Sequence, residues 1–160
     1  MYKIIICPSP ARDYDKRRWD KFAHLADNII ESYGSVIFVG MADQWDYVEQ
    51  IRRGMQYKQE SINICGGLSW GELVRLLSES RLVITVNTAT MHLAVAMGVP
   101  TVAVIGGTPA YIVAPRNCKN FRYVENVDHI NDITVEDVME KIRELINKGQ
   151  LDERAAGLLP

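Results

Sequence analysis

Four polar side chains, Asn87, Thr88, Thr90 and His92, crowd into the short stretch NTATMH, with a buried-looking strand before it and a small apolar helix after it. Their types suit an anion. A threonine hydroxyl donates a hydrogen bond, a neutral imidazole donates from one nitrogen, and the free N–H groups of a helix start attract negative charge. A second polar stretch, PSPARDYDKRRW, follows the first strand-like run and supplies Arg12, Lys16, Arg17 and Arg18. The two loops are expected to meet, one with donors and a helix dipole and one with cations, which describes a diphosphate site. A plainer use stays open: Thr88 or Thr90 can simply cap a helix that begins near Met91, and His92 can be an ordinary helix residue. The cations at Lys16 to Arg18 fall where a helix is expected to start, and its dipole disfavours them there.

The elements that must position these residues alternate regularly. Strands are predicted at 3–7, 35–40, 62–65, 82–86, 101–105 and 121–124, four of them nearly continuous apolar runs that suit burial on both faces. Helices are predicted at 17–33, 43–55, 69–78, 90–97 and 135–148. In the first, Trp19, Phe22, Ala23, Ala26, Ile29 and Ile30 recur at helical spacing. Thr134 and Asp137 form a capping signal for the last. Strand and helix in strict alternation predict an α/β fold, a single doubly wound parallel-sheet (Rossmann-like) domain over residues 1–148 with a tail at 149–160. Right-handed crossovers place the first and fourth strands side by side, and ligands in such sheets bind beyond the carboxyl ends of the strands at that point.

The remaining candidates are weighed against that frame of strands. No GxGxxG and no Walker lysine follow the first strand. The glycine pairs at 66–67 and 106–107 make tight turns, or let a flat base lie near Gly66, Gly67 and Leu68. Asp43 and Gln44 are placed to meet a ribose, or else begin the next helix. His24 and His129 lack acidic or Cys partners and read as surface residues.

A chain of 160 residues can bury roughly 70% of its unfolded surface. A net charge of -2 argues against nucleic acid or an acidic membrane held by bulk electrostatics. Three cysteines with no CxxC spacing cannot all pair; two sit in or beside strand-like runs and are expected as buried thiols, with no zinc site and a reduced, cytoplasmic setting. The opening MYKIIICPSP is too short for a signal-peptide core, and no run is long enough to span a bilayer.

With these residues in view, the chain resembles the C-terminal half of family-nine glycosyltransferases, the heptosyltransferases of lipopolysaccharide biosynthesis. The family's Asp-Thr-Gly-x-x-His, followed by a small apolar helix and Gly-x-Pro, is met here by NTATMHLAVAMGVP, and CGGLSWGELVRLLSESRLVIT and VIGGTPAYIVAPRN resemble the flanking segments. The resemblance implies the nucleotide-sugar-binding domain of a GT-B enzyme, an inverting, metal-independent transferase with no cofactor. The implied donor is a nucleoside-diphosphate sugar, with an ADP-sugar favoured. It places Thr88, Ala89 and His92 at the diphosphate, Lys16 (beside Arg17) at the leaving group, Gln44 at the ribose and Leu68 at the adenine. Asn87 and Ala89 depart from the family's acid and glycine, and Gln44 from its acidic ribose contact. The acceptor site and general base belong to an N-terminal domain or partner chain. The chain alone is therefore expected to bind donor and transfer little. The alternative is a non-catalytic nucleotide-sugar binding or regulatory module.

Overall fold

In the computed structural model, which describes residues 3–10 and 15–146, six strands form one parallel sheet in the order β3-β2-β1-β4-β5-β6. The strands are β1 (Ile4–Cys7), β2 (Val36–Phe38), β3 (Ser61–Asn63), β4 (Leu82–Val86), β5 (Thr101–Ile105) and β6 (Phe121–Glu125). Between them run α1 (Phe22–Tyr33), α2 (Trp45–Arg53), α3 (Trp70–Ser78), α4 (Ala89–Ala96) and the short α5 (Ala110–Val113), which the sequence pattern does not announce; α6 (Val135–Ile146) is the last element among the described residues. The fold is the doubly wound one expected. β1 pairs with β4 from Ile4↔Leu82 to Cys7↔Thr85, so strand order reverses between them.

Alternation along each strand builds two faces. Ile4, Ile6, Leu82, Ile84, Val86, Val102 and Val104 meet Phe22, Leu25 and Ile29 of α1, Val48 of α2 and Val138, Ile142 and Leu145 of α6. On the other face Ile5, Cys7 and Val83 pack with Leu77 of α3 and Ala94 of α4, and Ala103 and Ile105 with Met91 and Val95 of α4. Every residue of β1, β4 and β5 is buried, as the apolar runs imply.

The first helix corrects the sequence expectation. It begins at Phe22 rather than Arg17, and Asp15–Arg17 forms a separate 3-10 turn. Trp19 causes the break: fully buried, it donates its indole N–H to the carbonyl of Ile133 at 3.0 Å and stands edge-on to Phe22. The cations at 16–18 therefore do not oppose the dipole of α1. At the far end, Thr134 and Asp137 exchange the two hydrogen bonds of a capping box. The expected boundary near 148 and the tail 149–160 lie outside the described residues, as does Arg12. Among the described residues no helix is long and apolar enough to cross a membrane.

Candidate nucleotide-sugar site

A cleft of about 370 Å³ opens at the carboxyl ends of β1 to β4, lined from β1 by Cys7 and Ser9, from the β2 loop by Gly40, Met41, Ala42 and Gln44, and from the β3 loop by Gly66, Leu68, Ser69 and Trp70. Thr88, Ala89 and Thr90 close it at the start of α4. This is the end of a doubly wound sheet where strand order reverses, the usual place for a ligand.

The α4 terminus is built to present its amides. Thr88 occupies the N-cap position in extended conformation, yet its side chain caps nothing. The helix begins at Ala89, two residues before the expected Met91. Thr85 donates its one hydroxyl proton to the carbonyl of Val86 at 2.8 Å, so in its 3.0 Å contact with Thr88 it can only accept. The Thr88 proton is therefore committed inward. The helix-cap use of Thr88 does not occur; the Met91 N–H donates to the Thr88 carbonyl at 3.1 Å, and Ala89 and Thr90, which line the cleft, take no hydrogen bond from the Thr88 side chain on their amides. Thr90 faces the buried Cys7 thiol; burial pushes that thiol up, and the Thr90 hydroxyl offsets part of the rise.

Ser9 was not singled out from sequence. It is buried, lines the cleft, and its hydroxyl has no hydrogen-bond partner among the described residues. A buried hydroxyl left unmatched is costly, and this one lines the cleft.

Gln44 is half-buried and spans two loops. Its Oε1 accepts the Met41 N–H at 2.9 Å and its Nε2 donates to the carbonyl of Pro10 at 3.0 Å. It therefore ties the β1 loop to the β2 loop and keeps one N–H and one lone pair for anything else. The β3 loop is fitted just as closely: a Cβ on Gly66, whose φ is +72°, would lie 2.6 Å from Ala42 Cα. The protein's own backbone, not a ligand, occupies the space that this glycine leaves.

Of the residues expected at the site, Gln44, Leu68, Thr88, Ala89 and Thr90 line the cleft together, whereas Lys16, Arg17, Asn87 and His92 do not. Arg17 donates to the Thr108 hydroxyl at 3.1 Å, and Lys16 lies over Gly106 and Gly107, where an added Cβ would come within 2.8 Å of its carbonyl oxygen. Since β4 lies between β1 and β5, this turn has crossed to the far side of the β4 end. Lys16 and His92 are both exposed. His24 and His129 are exposed as well, as read from sequence. Among the described residues no group of three or more His, Cys, Asp or Glu is placed to hold a metal ion.

A broader groove of about 550 Å³ runs beside β6, lined by Cys118, Lys119, Arg122, Tyr123 and Lys141. It is a poor anion seat despite its size, because Arg122 and Lys141 both pair with Glu144, at 3.0 and 2.7 Å.

The chain is similar to known proteins in the same terms. Lipooligosaccharide heptosyltransferase 2 of Haemophilus influenzae is 27% identical over 165 residues, which take in 91% of this chain and 47% of that protein. The structure of E. coli ADP-heptose LPS heptosyltransferase II superposes with a TM-score of 0.84 at 23% identity, covering 93% of this chain and 47% of that one. E. coli heptosyltransferase WaaC with ADP-2-deoxy-2-fluoro heptose gives 0.72 at 18%, covering 89% and 42%. The chain thus spans about half the length of the relatives it matches. Its parallel sheet and the motif after β4 fall within residues 2–143, the span matched by the family described as glycosyltransferase family 9 (heptosyltransferase), and it is to this family that the chain belongs.

Proposed function

We propose that the cleft holds the nucleoside diphosphate of an ADP-linked sugar, and that the domain is the donor-binding half of an inverting, heptosyltransferase-like transfer. The observation that carries this is the α4 start: first-turn amides with no Thr88 cap, beside the unpartnered Ser9 hydroxyl, at the point where strand order reverses. In this reading the amides of Ala89 and Thr90, with the hydroxyls of Thr90 and Ser9, hold the phosphates. Thr88 contributes through its backbone, since its hydroxyl proton is spent. Lys16 and His92 reach the outer phosphate as it takes up charge, a role that positive groups fill by stabilising the departing diphosphate. Leu68 touches the base, and Gln44 offers its remaining valences to the ribose.

The chemistry is attack of an acceptor hydroxyl oxygen on C1 of the sugar. The C1–O bond breaks, the electron pair leaves with the diphosphate, and the hydroxyl proton goes to a base. Among the described residues lining the cleft there is no carboxylate or imidazole to take that proton. The same observation favours a second reading, a nucleotide-sugar binding module without transfer of its own. A cytoplasmic location belongs to both readings.

Calorimetric titration with ADP, UDP, GDP and ADP-heptose tests the site, with ADP and ADP-heptose expected among the binders. Failure of every nucleoside diphosphate to bind would sink both readings. Release of ADP from ADP-heptose on adding an acceptor would exclude the non-catalytic module and show that a base is at hand.

A further inference from the structure

The base end of the cleft is walled by side chains that the fold does not need to expose. Trp70 is 64% exposed and Met41 61%, and both line the cleft with Leu68, Leu73 and Ile64. Large apolar surface left in water on a pinned backbone points to a partner. Both backbones are pinned. Trp70 opens α3 directly after Ser69, whose hydroxyl accepts the Glu72 N–H at 3.3 Å while the Glu72 carboxylate accepts the Ser69 N–H at 2.7 Å. The Met41 N–H is held by Gln44, and the two loops touch where Gly66 meets Ala42.

The same corner is short of side chains that could read a base edge. Of its polar side chains, Ser69 serves the helix cap and Gln44 bridges Met41 and Pro10. The Gly66 and Gly67 N–H groups already donate to Gly40 and Ile64 carbonyls. What the corner offers is flat and apolar area.

We propose that Trp70 is the stacking platform for the nucleotide base, and that the corner selects a purine by area while discriminating little between adenine and guanine. This rests on the cleft being the nucleoside-diphosphate site. An indole overlaps a two-ring base more fully than a one-ring base, and stacking on an aromatic side chain tolerates any hydrogen-bonding edge. Being exposed, Trp70 can be replaced without opening the core.

The test titrates ADP, GDP, UDP, CDP and inorganic pyrophosphate into the wild-type chain, Trp70→Ala and Trp70→Phe, with calorimetry and tryptophan fluorescence as readouts. ADP and GDP should bind within about tenfold of each other, and UDP and CDP at least about tenfold more weakly. Trp70→Ala should weaken both purine diphosphates about tenfold, compress the purine preference and leave pyrophosphate unchanged; Trp70→Phe should recover most of the loss. ADP quenching of fluorescence should disappear in Trp70→Phe. The proposal is overturned if Trp70→Ala keeps wild-type ADP affinity and purine preference, or if ADP exceeds GDP by more than about a hundredfold. Absence of all diphosphate binding in the wild type overturns the cleft reading with it. ADP binding that ignores Trp70 overturns this proposal alone.

Discussion

Gly66→Ala should damage both folding and binding, and a second glycine separates the causes. Gly34, after α1, has φ 100° and ψ −162°, and a Cβ there would meet nothing within 4 Å. Gly34→Ala therefore incurs backbone strain alone, about 1–3 kcal/mol for a side chain held in a region reserved for glycine. Gly66→Ala incurs strain at φ +72° and also drives its Cβ to 2.6 Å from Ala42 Cα, a backbone atom that cannot rotate away. Overpacking of that kind adds about 1–3 kcal/mol, for a sum of about 2–6 kcal/mol against a total stability of about 5–15 kcal/mol. Urea unfolding should rank wild type above Gly34→Ala above Gly66→Ala. Relief of the overlap parts the β2 and β3 loops, which carry Met41 and Ala42 on one side and Leu68 and Trp70 on the other. ADP affinity should consequently fall more than about tenfold in Gly66→Ala and stay at the wild-type value in Gly34→Ala. Equal unfolding costs for the two variants, or an undiminished ADP affinity in Gly66→Ala, would refute the close-fit account of these loops.

Lys16→Ala and His92→Ala should each weaken ADP binding by about 1–3 kcal/mol, the worth of a charge-assisted hydrogen bond. For Lys16 the loss should shrink as salt is raised, and calorimetry at two ionic strengths reads it; unchanged affinity in both variants would leave the β4 turn with a structural role only. Thr85→Val should cost about 1–3 kcal/mol in a urea melt, because a fully buried hydroxyl that serves Val86 and Thr88 is removed and Thr88 loses its acceptor. Burial pushes the Cys65 thiol up to about 12 from 9.0, so the folded chain keeps a proton that the unfolded chain sheds. The stability this gives is complete below pH 9.0 and is lost as pH climbs toward about 12. Unfolding midpoints should accordingly decline with alkalinity less steeply in Cys65→Ala. Iodoacetamide labelling followed by mass spectrometry should reach the half-exposed Cys118 first, with Cys7 and Cys65 labelled only after denaturation.

The sheet was legible because its signal is local. The runs at 82–86 and 101–105 match β4 and β5 to the residue, since continuous burial leaves no polar position to blur their ends. What escaped depends on contacts distant in sequence. The start of α1 is set by the Trp19 bond to Ile133, 114 residues away. Asp27 looks like a solvent-facing residue of α1, yet it is buried because it accepts the N–H groups of Gln56 and Tyr57 at 2.9 and 3.0 Å. At the site, the motif after β4 was readable from residue types alone. The inward turn of the Thr88 hydroxyl was not, for it follows from Thr85 having a single proton to give. Trp70 carries no motif of its own in the sequence, and only its exposure beside Leu68 marks it for the cleft.

The bridge made by Gln44 has a thermodynamic side. One amide holds the loop after β1, which carries Ser9, to the loop after β2, which carries Met41. A ligand that orders one of these loops thereby prepays part of the ordering of the other. The two ends of a nucleoside diphosphate then count as linked ligands: adenosine and pyrophosphate, measured separately, should give free energies that do not sum to that of ADP. Cutting the bridge should bring each fragment closer to independence, whatever it does to the whole.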